Sequence, residues 1–413
     1  LSGAPPARRA ITIDAVRGFA VLGILLMNIV AFGMPDYAYV DPRYYGTHGP
    51  GDLAAWALAY VFADGKMRAL FTMLFGASML IAADAAEDGG SRAAVLHYRR
   101  MAWLLVFGMI HAWLFWYGDI LVEYAIAGAI AFAARRWPPR AICFAALMLI
   151  GWELIMNGLI PWLDMTRLRD LAARDDAPAA AVRAWNGVMA RVTPEAGVIE
   201  RELRLYRGDF GDAFAARAPL VRQLQTQLMP GWIPGAIGTM LLGMWLHRLG
   251  FWTGGWQARS YRRLVGCGAL ALLLTVPIAA MLVRHEWDPA LLPLADMLGL
   301  PLRFCVALGY ASALILLVRS TRMPTLVARF AVVGRMALTN YLGTTLIATT
   351  LFYGYGFGLF GWLSRAELYG VVVMIWLFIL AWSPVWLRRH RYGPAEWLWR
   401  SLTRASLQPM RKS

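Results

Sequence analysis

Long apolar runs separated by short polar breaks dominate the chain. They fall at about residues 15–34, 67–83, 101–117, 120–134, 141–163, 231–249, 264–283, 301–318, 330–352 and 368–387, ten in all. A bilayer core about 30 Å thick is crossed by roughly 20 helical residues. The pattern therefore predicts an all-α fold, a polytopic transmembrane helical bundle of about ten spans. Residues 53–63 are apolar but too short to span, and are expected to pack as a half-helix or interfacial helix. The division expected is an N-terminal transmembrane half (1–163), a polar helical segment outside the membrane (164–230), a C-terminal transmembrane half (231–390) and a basic tail (391–413). In the polar segment, "VIERELRLYRGDFGDAF" and "RAPLVRQLQTQL" both carry helical spacing. Its ten Arg and nine Asp/Glu nearly balance, which suits a folded cap or a surface tether better than a basic arm.

Composition agrees with the pattern: 59% of the 413 residues are hydrophobic and 16% charged. The net charge of +15 would suggest nucleic acid in a water-soluble protein. Placement excludes that partner. Arg8 and Arg9, Arg92, Arg99 and Arg100, Arg135, Arg136 and Arg140, Arg248, Arg259, Arg262 and Arg263, and Arg319, Arg322 and Arg329 all precede span one or follow even-numbered spans, and the tail after Trp386 adds seven more. Among arginines, the opposite short loops hold only Arg43, Arg284 and Arg365. By the positive-inside rule both termini are cytoplasmic and the partner is the lipid bilayer; a homodimer is left open. The apolar run after Arg8 and Arg9 imitates a signal peptide, but Asp14 and Arg17 within it, and nine further spans, mark it as a retained first span. Cys143, Cys267 and Cys305 lack metal-ligand or CxxC spacing, so no metal or redox role is expected.

Ionisable groups inside spans are costly and are candidates for function. Asp14 and Arg17 stand three apart on one face of span one, where they can pair, and Asn28 lies about 16 Å further along the axis. In "GMIHAWLFWYGDILVEY" (108–124), His111 on span three and Glu123 on span four face each other across a hairpin whose turn carries Asp119. An imidazole held by a carboxylate can act as a general base; the alternative is a core histidine bonded to a carbonyl. "FADGKMRALFTMLFG" (62–76) places Asp64, Lys66 and Arg68 before span two, where Asp64 is either an acid/base group or a helix cap. "GRMALTNYLGTTL" (334–346) puts Arg335 at the start of span nine, with Thr339, Asn340 and Tyr341 deeper. Arg335, Arg17, Arg99 and Arg100 then share the cytoplasmic side, where guanidiniums suit a phosphorylated ligand or lipid headgroups. "MLGLPLRF" (297–304) reads as an interrupted helix beside Asp296 and Arg303. No P-loop, HExxH or GxSxG occurs.

"DAVRGFAVLGILLMNI", "DGKMRALFTMLFG", "HAWLFWYGDILVEYAIAG", "GRMALTNYLGTTLIATTLFYGYG" and "RYGPAEWLWRSLT" together resemble the YeiB-like family of bacterial multi-pass inner-membrane proteins, defined by a domain of unknown function. DxxRG, here Asp14, Arg17 and Gly18, is also similar to the first span of the membrane acyltransferase clan, which includes the acyltransferase-3 proteins and the heparan-alpha-glucosaminide N-acetyltransferases. That resemblance implies transfer of an acyl group, commonly acetyl, from cytoplasmic acyl-CoA to a small-molecule or glycan acceptor on the far side. Where acyltransferase-3 proteins carry a histidine near the end of this span, this chain has Asn28. The glucosaminide branch resembles it in carrying Asn there and a histidine in the following loop, which here is His48 in "YYGTHGPGD". Either His111 or His48 is the base on this reading, with Asp119, Glu123 or Asp64 beside it. Asp14, Arg17, Asn28, Lys66, Arg99, Arg335, Thr339, Asn340 and Tyr341 are the candidate ligand-binding set. The alternative is a small-molecule transporter or exporter; a non-catalytic scaffold is a third reading.

Overall fold

The computed structural model describes residues 6–90 and 92–412, with side chains from residue 11 onward apart from Arg191. Arg8 and Arg9, counted above for topology, lie outside the described side chains. In chain order the α-helices are α1 Pro6–Gly33, α2 Tyr37–Val40, α3 Pro50–Phe62, α4 Lys66–Asp88, α5 Ala93–Leu114, α6 Leu121–Ala131, α7 Pro139–Glu153, α8 Ile160–Ala172, α9 Ala179–Val192, α10 Val198–Arg207, α11 Phe210–Gln223, α12 Met229–Arg248, α13 Ala258–Arg284, α14 Leu292–Ser320, α15 Pro324–Arg335, α16 Ala337–Phe352, α17 Arg365–Arg389 and α18 Pro394–Arg404. No strand occurs among the described residues, only an isolated bridge between His390 and Arg411. The fold is an all-α helical bundle.

Six stretches among the described residues are long and apolar enough to cross a membrane: Ile11–Gly33, Pro50–Asp88, Pro139–Ala172, Ala258–Arg284, Leu292–Ser320 and Arg365–Arg389. This is a membrane protein. The outer surface is apolar, as lipid contact requires: Phe144, Leu147 and Met148 on α7 and Leu270, Leu273 and Leu274 on α13 are all exposed. α1 is the central helix, with 72% of its span enclosed against 17% for Pro139–Ala172. Two glycines set that position. A Cβ on Gly18 would stand 2.0 Å from the Phe330 carbonyl, and one on Gly334 would stand 1.9 Å from the Asp14 carbonyl. α1 and α15 thus cross with backbones in contact, as small residues allow between membrane helices.

Three expectations need correction. The run 330–352 is two helices, α15 and α16, separated at Met336. The freed backbone amides of Leu338 and Thr339 donate to the Glu396 carboxylate of α18, at 2.7 and 3.0 Å. Arg335 therefore ends α15 and does not begin a span. Conversely, "MLGLPLRF" does not interrupt: α14 runs continuously through Pro301. Finally, "VIERELRLYRGDFGDAF" divides at Gly208, because Asp209 and Asp212 form a reciprocal capping box that starts α11. The stretch 53–63 lies within α3, thirteen residues long, which ends before the positive-φ turn at Gly65 (φ +69°).

Helices α9 to α11 form a cap over one end of the bundle. Gly354 N–H donates to the Tyr206 carbonyl at 2.8 Å, and Arg207 Nε donates to the Phe360 carbonyl at 2.7 Å. Arg217, fully buried, donates to the Trp113 and Phe115 carbonyls at the end of α5. A π-turn at Leu154–Leu159 joins α7 to α8, residues 173–178 turn the chain from α8 into α9, and a second π-turn at Leu224–Leu228 joins α11 to α12. The end of the bundle holding the start of α1 and the C-terminal tail is the terminal end.

Candidate functional site

His111 sits in the last turn of α5, and the chain then folds back into α6. Gly108 permits the close return, since a Cβ there would stand 2.7 Å from Val122 N and 3.0 Å from Asp119 Oδ1. Asp119 uses both oxygens. Oδ1 accepts the Val122 amide at 2.9 Å, capping α6, while Oδ2 lies 2.7 Å from His111 Nδ1. On the other side of the ring, Nε2 lies 2.9 Å from Thr345 Oγ1 of α16, whose hydroxyl also lies 3.4 Å from the Tyr341 carbonyl. The His111 and Asp119 side chains are 3% and 2% exposed. Tyr341 lies against the imidazole at 5.2 Å between ring centroids, and Trp116 edges it at 6.3 Å. Carboxylate, imidazole and hydroxyl stand in line, the order of orienter, base and reacting oxygen in acyl-transfer sites.

Glu123 does not join His111. One turn into α6 it faces the other way, into a cavity of about 50 Å³ lined also by Arg68, Thr72, Glu153, Trp232, Thr239 and Arg303. Asp64 and Lys66 stand at its edge. Lys66 is buried and donates to the Tyr60 carbonyl. Arg303 pairs with Asp296 and lies across Gly65, where a Cβ would meet its side chain at 2.5 Å. Glu153 occupies room left by Gly235.

At the terminal end, Arg17 binds Asp14 at 2.8 Å and Ser78 Oγ at 2.8 Å. A groove of about 580 Å³ runs beside them, lined by apolar residues of α14 and α15 with Asp14 and Arg335 as its charged members. Arg335 is exposed, and one of its Nη atoms reaches the Arg391 carbonyl at 3.3 Å. Arg99 is exposed nearby on α5, whereas Arg100 lies over the Trp399 ring at 4.7 Å. Thr339 donates its hydroxyl to Glu396. Asn340 is fully engaged, donating to the Val333 carbonyl and accepting from Trp382 and Ser383. Tyr341 accepts the Ile120 amide at 3.4 Å. Asn28 is half-buried between the two ends of α1, with no side-chain hydrogen bond among the described residues. His48 is exposed in a loop fixed to α17 through Asp52, which accepts the His48 and Ala366 amides, both at 2.9 Å.

Sequence reasoning missed Thr345, Ser78, Glu153 and Glu396. Glu153 carried a signal, an ionisable residue within an apolar run; the others are ordinary residues until the helices are assembled. Between cap and bundle, Glu202 Oε1 accepts the Asp36 amide at 3.0 Å, and Asp36 Oδ1 accepts the Tyr117 hydroxyl at 3.0 Å. Burial pushes the Glu202 carboxyl up to about 8 and raises that of Asp36. No group of three or more metal-ligating residues occurs among the described residues.

A membrane-embedded helical bundle with a buried imidazole and a separate charged cavity is the class this architecture defines. The chain belongs to the YeiB-like family: it is 36% identical to the uncharacterized protein YeiB of Escherichia coli K12, over 97% of this chain and 98% of that protein. It is also similar to the uncharacterized protein YxaH of Bacillus subtilis, 29% identical over 97% and 95% of the two chains. An uncharacterized 39.9 kDa protein from the amylase 3' region of Bacillus acidopullulyticus is 24% identical over 95% and 93%. Residues 246–406 match the family model described as a protein of unknown function (DUF418). No solved structure matches the chain.

Proposed function

We propose that the protein is an acyltransferase of the bacterial inner membrane, moving an acyl group, in the first instance acetyl, from cytoplasmic acyl-CoA to a small-molecule or glycan acceptor on the external side. The observation that carries this reading is the buried line of Asp119, His111 and Thr345. Asp119 fixes the ring so that Nε2 is the basic nitrogen, and Thr345 marks the place an acceptor hydroxyl or amine would take. The acceptor attacks the thioester carbonyl, forming a C–O or C–N bond as the C–S bond breaks. His111 takes the acceptor's proton and passes it to the departing CoA thiolate. Asp119 stabilises the transient imidazolium. The 580 Å³ groove beside Asp14 and Arg335 suits the donor end, with the exposed guanidiniums of Arg335 and Arg99 available to phosphates and the apolar wall to the acyl arm.

The test uses the full chain in lipid nanodiscs with labelled acetyl-CoA. Label should pass to protein or acceptor, or be released by hydrolysis. His111→Ala should lower that rate by about 10²-fold or more while acetyl-CoA binding persists. Failure to bind any acyl-CoA overturns the reading. A transporter is the second reading, favoured by the charged membrane cavity. It predicts uptake or efflux in proteoliposomes that His111→Ala leaves unchanged.

A further inference from the structure

The cavity between α4, α6, α7, α12 and α14 has no part in the acyl-transfer scheme, yet Arg68, Glu123, Glu153 and Arg303 all line it. Elements packed around it contribute Asp64, Lys66 and Arg68 from the α3/α4 turn and α4, Glu123 from α6, Glu153 from α7, and Asp296 and Arg303 from α14; α12 adds only Trp232 and Thr239. Asp119 is the next carboxylate, beyond the start of α6, and is bound to His111. Arg303 is matched by Asp296, and Asp64 and Lys66 stand two residues apart with opposite charges. Of the two guanidiniums lining the cavity, Arg303 is bound to Asp296, so Arg68 is the one left without an ion pair among the described residues, opposite Glu123 and Glu153.

Glu123 is 7% exposed, lines the cavity and makes no hydrogen bond or ion pair among the described residues. Nor do Arg68 and Glu153 come within ion-pair distance of each other or of Glu123. Direct pairing would be the cheapest arrangement for buried charges, so the groups are held apart around a space. That space, about 50 Å³, admits one or two particles of water size. Two carboxylates against one guanidinium leave one negative charge uncompensated, and a low-dielectric site demands its neutralisation.

We propose that this cavity binds one small monovalent cation between Glu123 and Glu153, with Arg68 limiting the site to a single positive charge. The cation is an alkali-metal or ammonium ion carrying water, or a proton. Trp232 flanks the site, and Gly235 and Gly65 give Glu153 and Arg303 the room that keeps them at its wall. The inference does not rest on the acyltransferase reading.

Thermal unfolding of the full chain in nanodiscs is followed while NaCl, KCl or NH4Cl replaces N-methyl-D-glucamine chloride at constant ionic strength. A parallel series varies pH and counts protons taken up. Saturable stabilisation by one inorganic cation, weakened at least about tenfold in Glu123→Gln and in Glu153→Gln, supports an ion. Stabilisation indifferent to salt, but accompanied by uptake of one proton that the Glu123→Gln, Glu153→Gln double variant lacks, identifies the cation as a proton. Arg68→Gln gives a reading that does not depend on losing the site: it deepens the negative charge, so affinity should rise. Indifference of the wild-type chain to both salt and protons, or weaker cation binding by a folded Arg68→Gln protein, overturns the proposal.

Discussion

Two helix breaks, one between α3 and α4 and one between α15 and α16, look alike in sequence terms and differ in what satisfies them. Each interrupts an apolar run and frees backbone groups that lipid cannot bond. At Met336 the new helix start is closed by Glu396, which receives two backbone amides and the Thr339 hydroxyl from a helix near the C-terminus. At Gly65 the turn is made by a positive-φ glycine and is surrounded by Asp64, Lys66 and Arg303 beside a cavity. The first break is consumed by structure. The second leaves charge available to a ligand. The backbone is satisfied at both breaks, at Gly65 by Lys66 Nζ on the Tyr60 carbonyl and the Tyr310 hydroxyl on the Phe62 carbonyl; what differs is the charge left beside a cavity.

The sharpest way to break this comparison is Glu396→Ala. It strands two backbone amides and a hydroxyl that a carboxylate now satisfies, and should cost about 3 kcal/mol or more, read as a loss of melting temperature in nanodiscs. Glu396→Gln, which keeps an acceptor, should lose less. Next is Gly334→Ala, whose Cβ would stand 1.9 Å from the Asp14 carbonyl, a backbone contact that cannot yield locally. About 2 to 3 kcal/mol should be lost, while Gly343→Ala on α16, where a Cβ meets nothing within 4 Å, should be neutral or gain up to about 1 kcal/mol. Gly65→Ala should cost about 1 to 2 kcal/mol through its φ of +69°. Unlike the Glu396 change it should also alter cation response, because Arg303 must move.

The last effect is on pH. Glu202 ionises near 8 in the folded protein and at the ordinary glutamate value when unfolded. Its contribution is whole below about 4.5, where both states are protonated, and is lost as pH rises through 8, because the unfolded chain releases the proton more readily. Cap docking should therefore weaken between pH 5 and 8, measured by proteolytic cleavage within α9 and α10. Glu202→Gln should flatten that profile.

The helical bundle was legible because lipid imposes it: long apolar runs have few other solutions. That a carboxylate of the hairpin would lie near His111 was legible too, although depth matching pointed to Glu123, while the structure brings Asp119 to the ring and turns Glu123 into the cavity. Thr345 was not, because it comes from a helix more than two hundred residues away and nothing distinguishes it from its neighbour Thr344. The break at Met336 was hidden for the same reason, its cap lying sixty residues further on. Pro301 misled in the other direction: a proline announces a missing hydrogen bond, but α14 continues through it. Asn340 looked like a polar point for a ligand and is instead a strut tying α16 to α15 and α17.

The π-turn at Leu224–Leu228 makes the cap a lever on one side, while residues 173–178 form a turn between α8 and α9 on the other. With no slack linker between α11 and α12, a tilt of the cap reaches the bundle as torque on α12. Trp232 and Gly235 open that helix. Whatever grips the cap from outside thus turns one wall of the charged cavity.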